Sequence, residues 1–581
     1  MAISLAISSC DKKKDGVYTL TVLSTTDMHG QIFDLDYRGN HRPSIYSISY
    51  AVDSIRNQVG KDNVVLVDAG DFSQGDNSGF YFNYINTSAL HPFPEMVHYM
   101  DYDAVCIGNH DIESGHEVYD RTRAKLNKYG IPYLGGNAIR DDNGQPYFDL
   151  YKIVKKNGLK VAILGFTNPL IEKWTLEERW SGMHFEELIP LVQQDVDMVR
   201  EKENPDVVIV VVHDGVGKDD GSTPEFHGLN LFNTLQGVDF LVCGHDHKPN
   251  VHENEDICLL NPSGSCKDMG VGTITLTYDN GKLVSKKLSA KLDQIDGSKV
   301  DEKMKKKFAK EYEMVRSFTM DKIGVIDTDI WTRDAFGGMS HYMNLVHKVS
   351  LFCYPAEISL AAPLAIDAHV HKGDFSYNDI FTLYPYENKI YVIKMTGEEI
   401  KNYLEYSYNH WIQSPSVNGH VLKINETKDV WTGREGWNLE ERYYIFDSAG
   451  GLYYKVDVTK PYGQRVQIDA LANGKTFKPE STYNVAITSF RVSGGGDMLM
   501  KGANIDAKDI SSRYVYIYSD IHELLYNYVS RVGSLHFEDV DDPKEIGYWE
   551  FAPESAKAII ADDMNLLFGE DREANDIHNV K

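Results

Sequence analysis

Along residues 18–290, short apolar runs alternate with longer polar stretches. The runs read YTLTVLSTT (18–26), NVVLVDAG (63–70), DAVCIG (103–108), LKVAILGF (159–166), DVVIVVV (206–212) and VDFLVCG (238–244). Most are β-branched and too short for a buried helix, so they predict buried strands joined by helices in an α/β architecture. Residues 299–320, KVDEKMKKKFAKEYEMVRSFTM, lack Gly and Pro and are rich in Lys and Glu, which predicts one exposed helix between two domains. Beyond it the chain is richer in tyrosine, with longer loops and one well-marked helix. There Thr396 and Glu399 stand at capping-box spacing, and Ile400, Tyr403, Leu404, Ser407 and Trp411 fall along one side. The rest of that region predicts a mixed α+β domain. The expected organisation is a leader and tether (1–17), a catalytic α/β domain (18–298), a linker helix (299–320), an α+β domain (321–567) and a frayed polar tail (568–581).

Chemistry gathers where the strands end. The first run ends in Asp27-Met28-His29, the second in Gly70-Asp71 and the third in Gly108-Asn109-His110-Asp111. The fifth ends in His213-Asp214-Gly215 and the sixth in Gly244-His245-Asp246-His247. Open α/β sheets place their sites at the carboxyl ends of strands, so these side chains are expected along one edge. Asp27 and His29, like His245 and His247, are two apart, which in extended backbone turns both members of a pair the same way. Asn109 and His110 are adjacent and face opposite ways, one suited to ligation and one aimed elsewhere. Carboxylate, imidazole and amide oxygen without thiolate suit Zn, Mn, Fe or Co. Asp71 is the natural bridge between two such ions, which when about 3.5–4 Å apart hold and polarise a phosphoryl group. Singly each piece is weak: the chain has 21 histidines, Asp71 would also serve as a helix cap, and GNHD as a turn. Five such strand ends together are hard to assign to chance.

Composition sharpens this picture. Hydrophobic residues at 42% and charged residues at 25% are those of a folded globular chain, and 581 residues call for at least two domains. Six cysteines exclude a disulfide scaffold. Cys106, Cys243 and Cys353 sit in apolar surroundings as core residues, whereas spacing alone leaves open whether Cys258 and Cys266 pair. A net charge of −27 argues against a nucleic-acid polymer or an anionic bilayer as partner. A small anionic substrate stays compatible with it, provided the site supplies its own cations.

The order D-x-H, GD, GNH, H, GHxH resembles the calcineurin-like metallophosphoesterases. The resemblance implies two packed mixed sheets flanked by helices and two divalent ions. One ion would be held by Asp27, His29, Asp71 and His247, the other by Asp71, Asn109, His213 and His245. His110 would assist the phosphate and leaving group, oriented by Glu113, where the family more commonly has Asp or Asn. Residues 359–407 and STYNVAITSFRVSGGGDML (481–499) resemble the C-terminal domain of bacterial periplasmic nucleotidases, so the likeness spans about 20–560. It implies a nucleotide as small-molecule substrate, its base stacked between Tyr386 and Phe490, with Asn388 and Asp497 as the polar residues beside them. The 5′-nucleotidase branch carries arginines in segments that here read SHYMNLVHKV (340–349) and APLAIDAHVHKG (362–373). Neither contains Arg, and 359–407 looks more like the 2′,3′-cyclic-nucleotide 2′-phosphodiesterase/3′-nucleotidase branch. That activity is expected here, with a 5′-nucleotidase or UDP-sugar hydrolase as the near alternative. A non-catalytic nucleotide-capture lipoprotein is the alternative of another class. MAISLAISSC (1–10) resembles the end of a bacterial lipoprotein signal with Ile7-Ser8-Ser9-Cys10 as lipobox, though without the usual preceding basic segment. It implies lipid on Cys10 and a periplasmic or outer-membrane-anchored chain.

Overall fold

The computed structural model of the protein describes residues 14–89, 91–218, 226–386, 388–428 and 435–569. The lipobox with Cys10, and residues 570–581 of the expected tail, lie outside them. Two six-stranded sheets form the first half of the chain. One runs in the order Lys282–Gln294, Asp268–Asp279, Gly16–Thr25, Val64–Asp68, Ala104–Cys106 and Tyr133–Leu134. The other runs Asn250–Glu253, Cys258–Asn261, Phe240–Val242, Val207–His213, Leu159–Thr167 and Tyr151–Lys156. Each has a parallel centre: Gly16–Thr25 pairs in parallel with Val64–Asp68, and Val207–His213 with both Leu159–Thr167 and Phe240–Val242.

The sheets face each other through Leu20, Val22, Val65 and Val67 on one side and Val161, Ile163, Ile209 and Val211 on the other, all fully buried. The outer face of the second sheet, including Val208 and Val210, packs under the helix Leu188–Glu203 through Val192, Val196 and Val199. A strand covered on both faces has no polar side to alternate with, which is why VVIVVVH is apolar almost without interruption.

The connecting segment departs from expectation. It is not one exposed helix but two, Glu302–Lys307 and Ala309–Met320, broken at Phe308. Met304, Phe308 and Val315 are buried in the core of the first half, so one side of this Lys-rich stretch is core and only the other meets solvent. Lys and Glu set the average composition, and the few apolar positions decide the docking.

In the second half a five-stranded sheet runs Ser448–Gly450, Ile358–Ala361, Thr482–Thr488, Lys389–Thr396 and Tyr514–Asp520. The helix Gly397–Trp411 lies against it, its Thr396 Oγ1 accepting from Glu399 N at 3.2 Å and Glu399 Oε2 accepting from Thr396 N at 2.8 Å. Ile400, Tyr403, Leu404, Ser407 and Trp411 are all buried, as the spacing predicts.

The two halves dock through specific side chains. Phe80 of the first inserts among Tyr377, Phe381 and His522 of the second, with ring centroids 5.6, 5.4 and 5.9 Å away. Asn77 donates to Asn378 at 2.8 Å, and Arg38 pairs with Asp379 and Lys389 with Glu178. Among the described residues no helix is long and apolar enough to cross a membrane. Cys258 and Cys266 are buried free thiols in different core clusters, not a pair.

Candidate active site

The strand ends meet as two clusters of donor atoms. In the first, His29 Nε2 and His247 Nε2 lie 2.9 Å apart, and Asp27 Oδ1 is 3.3 Å from His247 Nε2 and 3.8 Å from His29 Nε2. In the second, Asn109 Oδ1 lies 3.1 Å from His213 Nε2 and 2.8 Å from His245 Nδ1, while Asp71 Oδ2 is 3.0 Å from His213 Nε2. All seven residues read from the sequence as ligands are thus at the rim, drawn from both sheets.

The backbone delivers them differently from the expectation. Asp27, His29, Asp71, His245 and His247 all have φ between 45° and 74°, left-handed rather than extended. Such residues cost about 1–3 kcal/mol each and cluster at functional sites. The pairs two apart converge because the chain coils tightly at the strand end, not because an extended strand alternates. Glycine makes the close approach feasible at two points. A Cβ on Gly108 would stand 2.1 Å from Asp71 Oδ1, and one on Gly244 would stand 2.1 Å from Thr26 Oγ1.

Each buried carboxylate has one oxygen satisfied and one aimed into its cluster. Asp27 Oδ2 accepts from Thr26 Oγ1 at 2.6 Å and His245 N at 2.9 Å, and Asp71 Oδ1 accepts from His110 N at 2.8 Å. Asp27 Oδ1 and Asp71 Oδ2 are buried and receive no aligned hydrogen bond. A buried carboxylate oxygen left in that state is costly unless a cation faces it. The imidazoles are set to receive the same cations. His29 Nδ1 is fixed on Gln74 O at 2.8 Å and His213 Nδ1 on Ala69 O at 2.7 Å, which leaves each Nε2 lone pair facing the cluster.

Ionisation agrees. Burial and the neighbouring His247 push His29 down to about 4, and burial with His213 pushes His245 down to about 3, so both stay neutral. Burial opposes charge on Asp27 and Asp71, yet His247 holds Asp27 and His213 holds Asp71 below the ordinary carboxylate range. Burial would lower His213, but Asp71 lifts it to about 10. The cluster calls for positive charge, which a divalent ion supplies while releasing that proton. The donor set therefore fits divalent metal.

A residue whose role the sequence did not disclose holds the loops in place. Asp111 Oδ2 accepts from Asp71 N and Gly108 N, both at 3.0 Å, and its Oδ1 accepts from Phe72 N at 3.1 Å and Ser73 N at 2.9 Å. Its one sequence signal is its place, three residues after the Gly108 that caps the short helix Asn109–Glu113. His110 leads away from the ligands: its Nδ1 is 2.7 Å from Glu113 Oε2, and its ring centroid is 5.4 Å from that of His29. Burial disfavours its charge, but Glu113 and Asp71 raise it to about 10.

The predicted substrate residues lie in the second half, Tyr386 and Asn388 on the loop before the strand Lys389–Thr396, Phe490 in the short helix Ser489–Val492 and Asp497 in the turn Gly495–Asp497. Asn388 is buried, and its Oδ1 accepts from Ser489 Oγ and Phe490 N, each at 3.3 Å, tying the Tyr386 loop to the start of the short helix that carries Phe490. Tyr386 is 38% exposed and Phe490 half-buried. A Cβ on Gly495 would lie 2.5 Å from the Phe490 ring, so the glycine turn packs on that ring. Tyr444, which the sequence reading missed, meets Phe490 edge-on at 6.2 Å, and Arg491 lies over the same ring at 5.3 Å. Asp497 stands apart in its engagement, left-handed at φ 56° and paired with Lys501 at 2.7 Å. Residues 171–180 join these loops to the rim. Thr175 Oγ1 reaches Glu113 Oε1 at 3.5 Å and Arg179 Nη1 reaches Ser114 O at 3.3 Å, while Glu178 pairs with Lys389, next to Asn388.

With rim and loops in place, fold and donor set define a metallophosphoesterase domain joined to a nucleotidase domain. Residues 322–502 match the family described as 5′-nucleotidase, C-terminal domain, and residues 22–259 match the family described as Bacterial capsule synthesis protein PGA_cap. The Yersinia enterocolitica 2′,3′-cyclic-nucleotide 2′-phosphodiesterase/3′-nucleotidase is 23% identical, over 82% of this chain and 81% of its own. The Bacillus subtilis trifunctional nucleotide phosphoesterase protein YfkN is 23% identical over 85% of this chain, which spans only 38% of that longer protein. A Staphylococcus aureus crystal structure, of a protein provisionally named a 5′-nucleotidase in complex with alpha-ketoglutarate, shares the fold. It superposes with a TM-score of 0.75 at 20% identity, covering 92% of this chain and 99% of that one. Residues 322–502 thus match a 5′-nucleotidase C-terminal domain, and over most of its length the chain is similar to bacterial nucleotidases and cyclic-nucleotide phosphodiesterases.

Proposed function

We propose that the chain hydrolyses nucleotide phosphoesters at a two-metal rim, with 2′,3′-cyclic nucleotides and 3′-nucleotides as substrates. The observation that carries it is the pair of buried carboxylate oxygens, Asp27 Oδ1 and Asp71 Oδ2, each turned without a hydrogen bond toward imidazole nitrogens. In this reading Asp27, His29, Asp71 and His247 hold one ion and Asp71, Asn109, His213 and His245 the other. Asp71 Oδ1 accepts from His110 N, so Oδ2 is the oxygen Asp71 would offer to metal. Zn, Mn, Fe or Co in these places would polarise the phosphoryl group and lower the pKa of a bound water.

The chain's own residues do the rest. Tyr386 and Phe490 stack the base, contributing about 1–3 kcal/mol with little preference among bases. Asn388 keeps their loops together, and Asp497 borders the nucleoside. Glu113 accepts from His110 Nδ1 and leaves Nε2 to donate a proton to the departing oxygen. A cyclic diester opens to the 3′-monophosphate, and a second turnover releases nucleoside and phosphate.

The absence of Arg from 340–349 and 362–373 favours this branch over a 5′-nucleotidase. The closing segment is instead committed to structure, since Asp367 is buried in an ion pair with Arg333. The lipobox reading places the work in the periplasm or at the outer membrane. Assays of 2′,3′-cyclic AMP, 3′-AMP, 5′-AMP and UDP-glucose with added Mn or Zn test the proposal. Turnover of the first two above the others is expected. Preference for 5′-AMP or UDP-glucose transfers the chain to the neighbouring branch, and binding without turnover of any makes it a capture protein.

A further inference from the structure

A cluster remote in sequence from the rim has donors of the same kinds. Ile330–Trp331 and His369–Val370 form a two-stranded antiparallel ribbon, with Ile330 opposite Val370 and Trp331 opposite His369. Continuing that register by one residue sets Asp329 opposite His371. Side chains two apart share a face, so Asp329, Trp331, His369 and His371 stand together on one side. The other side carries Ile330 and Val370 into the core of the second half.

The contacts bear out this arrangement. His369 stacks on Trp331 at 3.7 Å and 11°, and His371 meets His369 at 3.9 Å. One nitrogen from each imidazole and one carboxylate oxygen all lie within 4.8 Å of one another. Asp329 Oδ1 accepts from Lys372 N at 2.6 Å, and Oδ2 turns to His369 Nε2 at 3.6 Å, beyond hydrogen-bond reach but suited to two ligands of one ion. Asp329 and His371 are exposed and His369 is buried beneath them, so a hydrated ion has access while one ligand is held rigidly.

We propose that Asp329, His369 and His371 bind a further divalent ion of intermediate softness, with zinc as the representative. Two imidazoles and one carboxylate are the donor set of open three-residue zinc sites, and the positions facing solvent are filled by water. The site is a brace. His371 leads directly into the strand Gly373–Ser376 and the helix Tyr377–Leu383, whose Asn378 and Asp379 dock the first half of the chain. Pinning 369–371 to the turn at 329 fixes the start of that docking element.

The test is zinc content of the full-length protein after equilibration at buffered free zinc, compared with His371→Ala and Asp329→Asn. Each variant is expected to hold one equivalent less than the unaltered chain, with nucleotide turnover retained. Equal zinc content in all three overturns the site. The same comparison in an Asp71→Asn background separates this site from the rim. There zinc is expected to raise the melting temperature of Asp71→Asn but not of Asp71→Asn/His371→Ala, and an equal rise in both overturns the brace. Both exposed substitutions are expected to leave the zinc-free melting temperature unchanged. A drop in it would show that the ribbon residues serve the fold without an ion and would equally end the proposal.

Discussion

The rim of the first half and the aromatic loops of the second face one task with opposite construction. At the rim Asp27, Asp71 and His213 are fully or almost fully buried, the backbone of five ligands is left-handed, and Asp111 secures four backbone amides. On the second side Tyr386 is 38% exposed, and Asn388 joins its loop to Phe490 through two longer bonds of 3.3 Å. A centre that must hold like-charged ions close together has to be rigid before the substrate comes, because a misplacement there is lost directly from the transition state. A stacking surface needs only two flat faces and a gap, and a softer mount lets it accept different bases.

The largest expected effect tests the rigid side. Asp71→Asn keeps the shape but removes the charge on which both ligand sets depend, so kcat is expected to fall by about 10³-fold or more together with the bound metal. Metal analysis beside the kinetics checks it, and a variant that keeps both its ions would remove the bridge. His110→Ala touches the proton rather than the ions. It is expected to lower kcat by about 10²–10⁴-fold with metal content unchanged. The deficit should shrink for a substrate with a good leaving group such as a nitrophenyl ester, which needs no proton. An equal deficit on both substrates would give His110 a positioning role instead.

These first two residues belong to what could be read from the sequence, and the reason is local. Each rim residue lies next to the end of an apolar run, so the strand pattern places it without knowledge of the rest of the fold. What could not be read is what requires distant partners. Asp111 is named by the motif, but its acceptors' work on Asp71, Phe72 and Ser73 spans about forty residues of chain. Tyr444 reaches Phe490 only after the second half has folded, and Gly495 matters because it closes on the same ring. The left-handed turns were hidden as well, since Asp and His do not announce them as glycine would. The docking of the linker is hidden in the sequence because three buried residues outweigh a Lys-rich average.

The soft side is tested by Tyr386→Ala and Phe490→Ala. Each should raise KM by about 5–150-fold with kcat nearly unchanged, equivalent to about 1–3 kcal/mol of stacking. Tyr444→Ala sharpens the comparison. Tyr444 supports Phe490 from the side without offering the base a face, so a rise in KM smaller than that of Phe490→Ala is expected. A kcat fall as large as that at the rim in any of the three would mean that the loops also set the chemistry.

The smallest effect compares two uses of histidine. At the rim, burial and neighbouring imidazoles keep His29 and His245 neutral. His347 is kept neutral in the core of the second half, between Ser359 Oγ at 3.1 Å and Ser448 Oγ at 3.0 Å, and burial pushes it down to about 3. Gly450 lets the backbone pack directly on it, since a Cβ there would stand 2.6 Å from His347 Cβ. In the unfolded chain this histidine takes up its proton near pH 6.5, whereas the folded chain does not until about pH 3. The unfolded state therefore binds the extra proton throughout that window, and stability falls as pH drops from about 6.5, by about 1.4 kcal/mol per unit. From pH 7 to 5 the urea midpoint of the second half should fall more steeply in the unaltered chain than in His347→Gln, by an amount worth about 2 kcal/mol. The metal content of the rim should not follow the same substitution. Parallel slopes in the two proteins would show that His347 is solvated and free to charge, and that the second half is softer at its core than its loops already are at the surface.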